Sequence, residues 1–325
     1  MPTITVNGAK RVPQQSEAWP ELDYRKWEPT CTTLHLWTQI VGKARLAQTP
    51  WINHSWQVTL YPTARGLTTS TIPHGTRTFQ VDFDFIAGAL RVVTNDGGVA
   101  TVALTPASIA DFCARFLDAL GKLRIDIAID DRPNELDAAV PFLEDTAPRP
   151  YDAEAVRRFW RALLHIERVF VHFRSGFLGK VSPVHLFWGG FDLAVTRFSG
   201  RSAPRHPGGR AHMPKAVNIE AYSHEVSSAG FWPGGAGADD AYFYSYAYPE
   251  PDGFRTAKVR PRGALYDAKF GMFVLPYSTV ANASDPDATL LEFLQSTYEA
   301  AANLAGWNRA ELEADFGEAG HCRRV

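Results

Sequence analysis

The stretch Gly179-Lys-Val-Ser-Pro-Val-His185-Leu-Phe-Trp188-Gly-Gly-Phe-Asp192-Leu-Ala-Val-Thr-Arg197-Phe-Ser-Gly-Arg201 concentrates packing and chemical side chains more densely than any other part of the chain. Side chains of a strand point alternately to its two faces. Read as one strand, the stretch sets His185, Phe187, Phe191, Leu193, Val195 and Arg197 on one side and Trp188, Asp192 and Thr196 on the other. An apolar face with a histidine at one end and an arginine at the other has the make-up of a pocket wall.

Outward from there, two further stretches alternate with period two. In 52–61, Ile52, His54, Trp56, Val58 and Leu60 fall on one face, which predicts a half-buried strand. In 79–85, Phe79, Val81, Phe83 and Phe85 fall inside, while Asp82 and Asp84 face water as an ordinary polar strand face. Asn95-Asp-Gly-Gly98 between apolar runs is a hairpin signal. Helices are predicted over 31–46, ending near Gly42-Lys43; from Thr105-Pro106 to Gly121; from a cap at Asp152; and from Asp285-Pro286 to Gly306. Strands are expected at 220–228, at the four-tyrosine run 242–248 and around 269–277.

The connections between strands are short rather than helical crossovers, so the sheets should be antiparallel and the fold α+β. Both halves read as a helix, strands and a helix, with a histidine, a tryptophan and an arginine in each first strand (His54, Trp56, Arg65; His185, Trp188, Arg197). This pattern predicts two weakly duplicated halves around a shared interface. The expected divisions are a loosely ordered segment 1–18, a first half 19–130, a linker 131–151 rich in proline and charge, a second half 152–312 and a tail 313–325. The Gly/Pro-rich basic loop 202–215 fits a lid, a binding loop or a mobile connection.

Composition excludes several classes. At 325 residues, 45% hydrophobic and 21% charged, the chain can bury a large core, and a net charge of −2 supplies no field for nucleic acid or an anionic membrane. No run of about 18 apolar residues exists for a spanning helix, and no leader pattern opens the chain. Cys31, Cys113 and Cys322 lack paired spacing. A soluble cytoplasmic protein is expected.

The segments Thr33-Leu-His-Leu-Trp-Thr-Gln-Ile-Val-Gly-Lys43, Asn53-His-Ser-Trp56, Arg65-Gly-Leu-Thr-Thr69, Gly179 to Arg201, Tyr222-Ser-His-Glu-Val226, Gly230-Phe-Trp-Pro-Gly234 and Leu275-Pro-Tyr277 resemble a bacterial family catalogued as a domain of unknown function. The resemblance covers residues 19 to 312 and implies no established activity. The chain departs from that pattern at Ala87-Gly88, Pro148 and Met272, where acidic or histidine side chains are usual.

Three functions fit these residues. In the first, a small organic anion is gripped by Lys180, Arg197 or Arg201 beside Trp188, Asp192, Tyr222, His54, Trp56 and Arg65, and His185 or His224 exchanges protons near neutral pH. In the second, the protein is a non-catalytic scaffold whose histidines and arginines are structural. In the third, His185, His224 and His54 join a carboxylate such as Asp192 or Glu225 around a metal, although no tight ligand spacing occurs. A small-molecule ligand is the expected partner; no cofactor follows from the residues, and no glycine-rich phosphate loop or nucleophile elbow is present.

Overall fold

The computed structural model describes residues 18–136, 139–208, 213–235, 238–319 and 321. The segment expected to be loose at the N-terminus, the centre of the basic loop at 209–212 and Cys322 lie outside the described residues.

The first half runs through α1 (Tyr24–Gln48), β1 (Tyr61–Thr63), β2 (Gly66–His74), β3 (Arg77–Asp84), β4 (Ala89–Thr94), β5 (Val99–Ala103) and α2 (Ile109–Lys122). The second runs through α3 (Ala153–Ser175), β6 (His185–Phe187), β7 (Asp192–Ser202), α4 (Lys215–Ala221), β8 (His224–Trp232), β9 (Tyr242–Tyr248), β10 (Leu265–Asp267), β11 (Met272–Pro276), α5 (Tyr277–Ala281), α6 (Pro286–Leu304) and α7 (Arg309–Leu312). Every strand pair is antiparallel: five strands lie in the order β1-β2-β3-β4-β5 and six in the order β10-β11-β9-β8-β7-β6. The fold is therefore α+β. Just before β1, Leu60 exchanges two backbone hydrogen bonds with Leu186 of β6 (2.9 and 2.8 Å), so the two sheets meet edge to edge at one residue pair.

One continuous apolar core runs beneath both sheets. Alternation on β3 buries Phe79, Val81 and Phe83 fully, while α2 turns Phe112 and Phe116 inward. Trp37 of α1 stacks on Phe112 at 4.5 Å and on Tyr151 at 5.0 Å. Such aromatic pairs add about 0.5–1.5 kcal/mol beyond their buried area. Among the described residues of 131–151 there is no helix or strand, yet the segment is held: the Gln39 amide exchanges two hydrogen bonds with the Asn134 backbone, and Phe142 is buried. The caps at Asp152 and Asp285 form as their sequence predicts, each carboxylate accepting backbone N–H bonds from the first turn.

Several boundaries differ from expectation for identifiable reasons. Helix α1 continues through Gly42, because this glycine is a notch rather than a stop: a Cβ there would lie 2.3 Å from the Trp188 indole. Helix α2 starts at Ile109, with the Ser108 hydroxyl accepting from Asp111 N, rather than at Thr105. Glu220 belongs to α4 and Tyr222 caps it, so the expected strand begins only at His224. Asp84 is buried rather than solvated, its carboxylate held by Arg65 and by the N–H groups of Ile86 and Ala87.

The stretch 179–201 departs most from the single strand its alternation predicts. It is a hairpin, not one strand: β6 ends at Phe187, and residues 188–191 turn the chain into β7. Phe191 adopts φ +61°, and Gly189 lets the Glu135 carboxylate lie close against the turn, where a Cβ would sit 2.2 Å from it. His35 clamps the same turn, its Nε2 lying 2.9 Å from the carbonyl oxygens of both Trp188 and Gly189. Burial pushes the His35 imidazole down to about 4.

Across the hairpin His185 faces Ala194 and Phe187 faces Asp192. Opposed residues of an antiparallel pair share a face. His185 therefore sits on the face of Asp192 and Thr196, and Arg197 sits on the other.

Candidate functional site

The segment expected as the strand 52–61 is instead a 3-10 turn at Asn53–Ser55, with β1 starting only at Tyr61. His54 (φ 61°) and Ser55 (φ 54°) are both left-handed, a conformation no strand accepts and one that costs non-glycine residues on the order of 1–3 kcal/mol. The surroundings hold the turn: the Gln57 side chain accepts from Ile52 N (3.0 Å), and Ala221 at the end of α4 fixes the His54 ring.

His54 Nδ1 lies 2.7 Å from the Ala221 carbonyl oxygen. A carbonyl only accepts, so Nδ1 carries the proton and Nε2 presents a lone pair. That lone pair faces the Lys180 ammonium at 3.3 Å. Strand β7 supplies Phe198, whose ring centroid is 4.8 Å from the His54 ring; Trp56 is 5.3 Å from His54 and 6.0 Å from Phe198, so the three rings form one cluster. The Lys180 Nζ lies over the same two rings, 4.8 Å from Phe198 and 5.3 Å from Trp56. Burial, then the neighbouring Lys180 charge, push His54 down to about 4. Desolvation also lowers Lys180, although its side chain reaches solvent.

The second sequence-predicted histidine meets this cluster from below. His185 is 1% exposed, edge-on to Trp56 at 6.3 Å, and 4.7 Å from Phe187. Burial, reinforced by Arg45, pushes it down to about 3, and its Nδ1 has no hydrogen-bond partner among the described residues. Trp56 thus touches both histidines, one from each half. His224 on β8 bonds the Ser223 hydroxyl (3.0 Å).

The other predicted residues are employed elsewhere. Arg197 is 1% exposed beneath α3 and α6, its guanidinium 3.5 Å from the Phe173 ring centroid and 4.3 Å from Tyr298, with Nη2 donating to the Phe173 carbonyl. Arg201 pairs with Glu225 and donates to the carbonyls of Ala305 and Gly306, closing the end of α6. Asp192 accepts from the Tyr244 hydroxyl. Trp188 donates to the Val58 carbonyl (2.8 Å). Tyr222 bonds the Tyr246 hydroxyl (3.0 Å) and stacks under His206 at 4.5 Å. Arg65 holds Asp84 at 2.8 Å, beside a trough of about 350 Å³ on the five-stranded sheet that Asp82, Gln80 and Arg91 also line. Glu225 and Asp192 therefore do not join the histidines. Among the described residues no group of three or more His, Cys, Asp or Glu side chains is placed to hold a metal ion.

Phe198 and the Ala221 carbonyl were not anticipated from the sequence. The signal was Gly189-Gly190, a turn marker between apolar runs that splits the stretch in two and so brings Phe198 onto the histidine's face.

These features define an α+β protein of two antiparallel sheets whose edges meet at one residue pair, with a histidine–lysine pair beside aromatic rings where the halves meet. The chain belongs to a family of unknown function, DUF5996, whose model matches residues 19–314. No curated protein and no solved structure matches it. No helix among the described residues is long and apolar enough to cross a membrane.

Proposed function

We propose that the protein binds a small organic anion at Lys180, beside Trp56 and Phe198, with His54 as the group that exchanges protons there. The supporting observation is the state of Lys180. Among the described residues its ammonium has one hydrogen bond, to an uncharged imidazole, lies over two rings and is contacted by no carboxylate. An exposed cation so placed favours a carboxylate or phosphate, and the rings offer an apolar surface to the rest of a short ligand. Unpartnered His185 Nδ1, behind Trp56, adds a further polar group to the same wall. Cytoplasmic residence belongs to the same proposal, since Cys31 and Cys113 are buried free thiols.

Thermal denaturation with acetate, pyruvate and inorganic phosphate tests the reading. A ligand at 100 times its Kd adds about 2.7 kcal/mol to stability, a shift of a few degrees. Lys180→Met should remove the shift and Arg197→Met should keep it. No shift with any anion, or a shift that survives Lys180→Met, refutes the assignment. The non-catalytic reading draws on the arginines, since Arg197 and Arg201 are both engaged in closing helix ends; it gains if no anion binds and Lys180→Met lowers stability alone.

A further inference from the structure

The His54–Lys180 pair has the geometry of a nucleophile and its base. A base is useful when its lone pair faces the nucleophile and a third group fixes its other side. Here the Ala221 carbonyl fixes Nδ1 at 2.7 Å, and Nε2 faces the lysine amine at 3.3 Å. The ring cannot turn away without losing the Ala221 bond and its contacts with Trp56 and Phe198. The strained left-handed backbone at His54 and Ser55 is what aims it. An ordinary surface lysine that bonds a carboxylate is held as the cation; Lys180 bonds a neutral ring, which does not stabilise the charged form in that way.

We propose that Lys180 is a nucleophile that condenses with the carbonyl carbon of a small 2-oxo acid, forming an imine. The proposal rests on the anion-binding reading above. The substrate carboxylate first pairs with the ammonium. Loss of one proton from the ammonium to solvent frees the amine, whose lone pair forms the C–N bond while the carbonyl π pair moves to oxygen. The amine passes a second proton to His54 Nε2, and the former carbonyl oxygen takes one proton from water. The hydroxyl then leaves as water with the proton that His54 returns, and the nitrogen lone pair closes the C=N bond. Overall the ammonium and the carbonyl give the iminium and water, the proton first lost to solvent being regained at the former carbonyl oxygen, with nothing oxidised or reduced. The product iminium again carries a positive charge beside the carboxylate, so the charge pairing given up when the amine is freed is restored in the product. Desolvation of Lys180 acts in the same direction, raising the neutral fraction.

The test uses the full chain with pyruvate and sodium cyanoborohydride, and with lactate, which carries the carboxylate but no carbonyl. Intact-mass and peptide analysis should find one reduced condensation product, on Lys180. His54→Asn keeps a side chain suited to the left-handed backbone and should slow labelling about tenfold or more. Lys180→Arg, confirmed folded by its melting curve, should lose the label while still binding lactate. If pyruvate and lactate both stabilise the protein and no label appears at Lys180, the imine is refuted and the anion site stands. If neither binds and nothing is labelled, both fall. Equal labelling across the surface lysines, or unchanged labelling in His54→Asn, also overturns the proposal.

Discussion

Gly42→Ala inverts the usual sign of a helical glycine substitution, and that inversion tests how the two halves are joined. In an open helix interior, glycine to alanine stabilises by about 1 kcal/mol. At Gly42 the new Cβ would lie 2.3 Å from Cδ1 and Nε1 of Trp188, whose side chain is buried and bonded to the Val58 carbonyl. Either the helix or the indole must move. Overpacking costs about 1–3 kcal/mol, and loss of the Trp188 bond about 1 kcal/mol more. After the propensity gain, the net expectation is a loss of about 1–3 kcal/mol. Urea denaturation reads it as a lower midpoint at unchanged slope. Trp188→Leu should soften the conflict, so in that background Gly42→Ala should cost less, a coupling that a double-mutant cycle measures. A Gly42→Ala protein as stable as the parent, or more so, would mean that Trp188 does not fill the notch, and the argument for the clamped hairpin would fail with it.

Other consequences are equally open to measurement. His185 is held neutral at pH 7, with a folded pKa of about 3 against an unfolded value of about 6.5, so the unfolded chain binds the extra proton as pH falls. Its contribution to stability is complete above pH ~6.5 and is lost as pH drops toward ~3, amounting to about 2 kcal/mol between pH 7 and 5; His185→Gln should shallow the decline in denaturation free energy by that amount, and an unchanged pH profile would refute the buried neutral state. Arg197→Ala removes a buried guanidinium stacked on Phe173 and Tyr298 and should destabilise by about 2–5 kcal/mol, whereas Arg197→Met keeps most of the packing; a melting curve for Arg197→Ala matching the parent would contradict the structural role. Asp152→Ala and Asp285→Ala each remove an N-cap acceptor and should each lose about 1 kcal/mol in urea denaturation, additively since they cap different helices.

Local rules carried the sequence reading where one element decides its own conformation. The caps at Asp152 and Asp285, the Asn95-Asp-Gly-Gly98 hairpin and the amphipathic alternation of 79–83 are satisfied by neighbours a few residues away, so spacing exposes them. Failures occurred where a distant partner sets the backbone. Residues 52–61 alternate as a strand should, yet Ala221, 167 residues on, holds His54 in a left-handed turn. Gly42 resembled a helix stop because Trp188, its partner in the notch, is remote in sequence. Family membership was legible from motif density, but the grouping of side chains into a site was not: period-two alternation assigns faces only within an unbroken strand, and one turn exchanges them.

That exchange determines which residues can act together. Had the stretch been a single strand, His185 and Arg197 would have formed one wall and the buried guanidinium would have been the anion's partner. Because residues 188–191 turn the chain, Arg197 faces α3 and α6, where Phe173 and Tyr298 engage it. The opposite face carries His185, Thr196 and Phe198, and Lys180 joins it because its carbonyl accepts from Phe198 N across the strand pair. The first half completes that face by contributing His54 and Trp56, while the Leu60–Leu186 pair fixes the edge-to-edge placement of the halves. Neither half holds the constellation alone: Lys180 and Phe198 come from the second, His54 and Trp56 from the first, and Ala221 aims the imidazole.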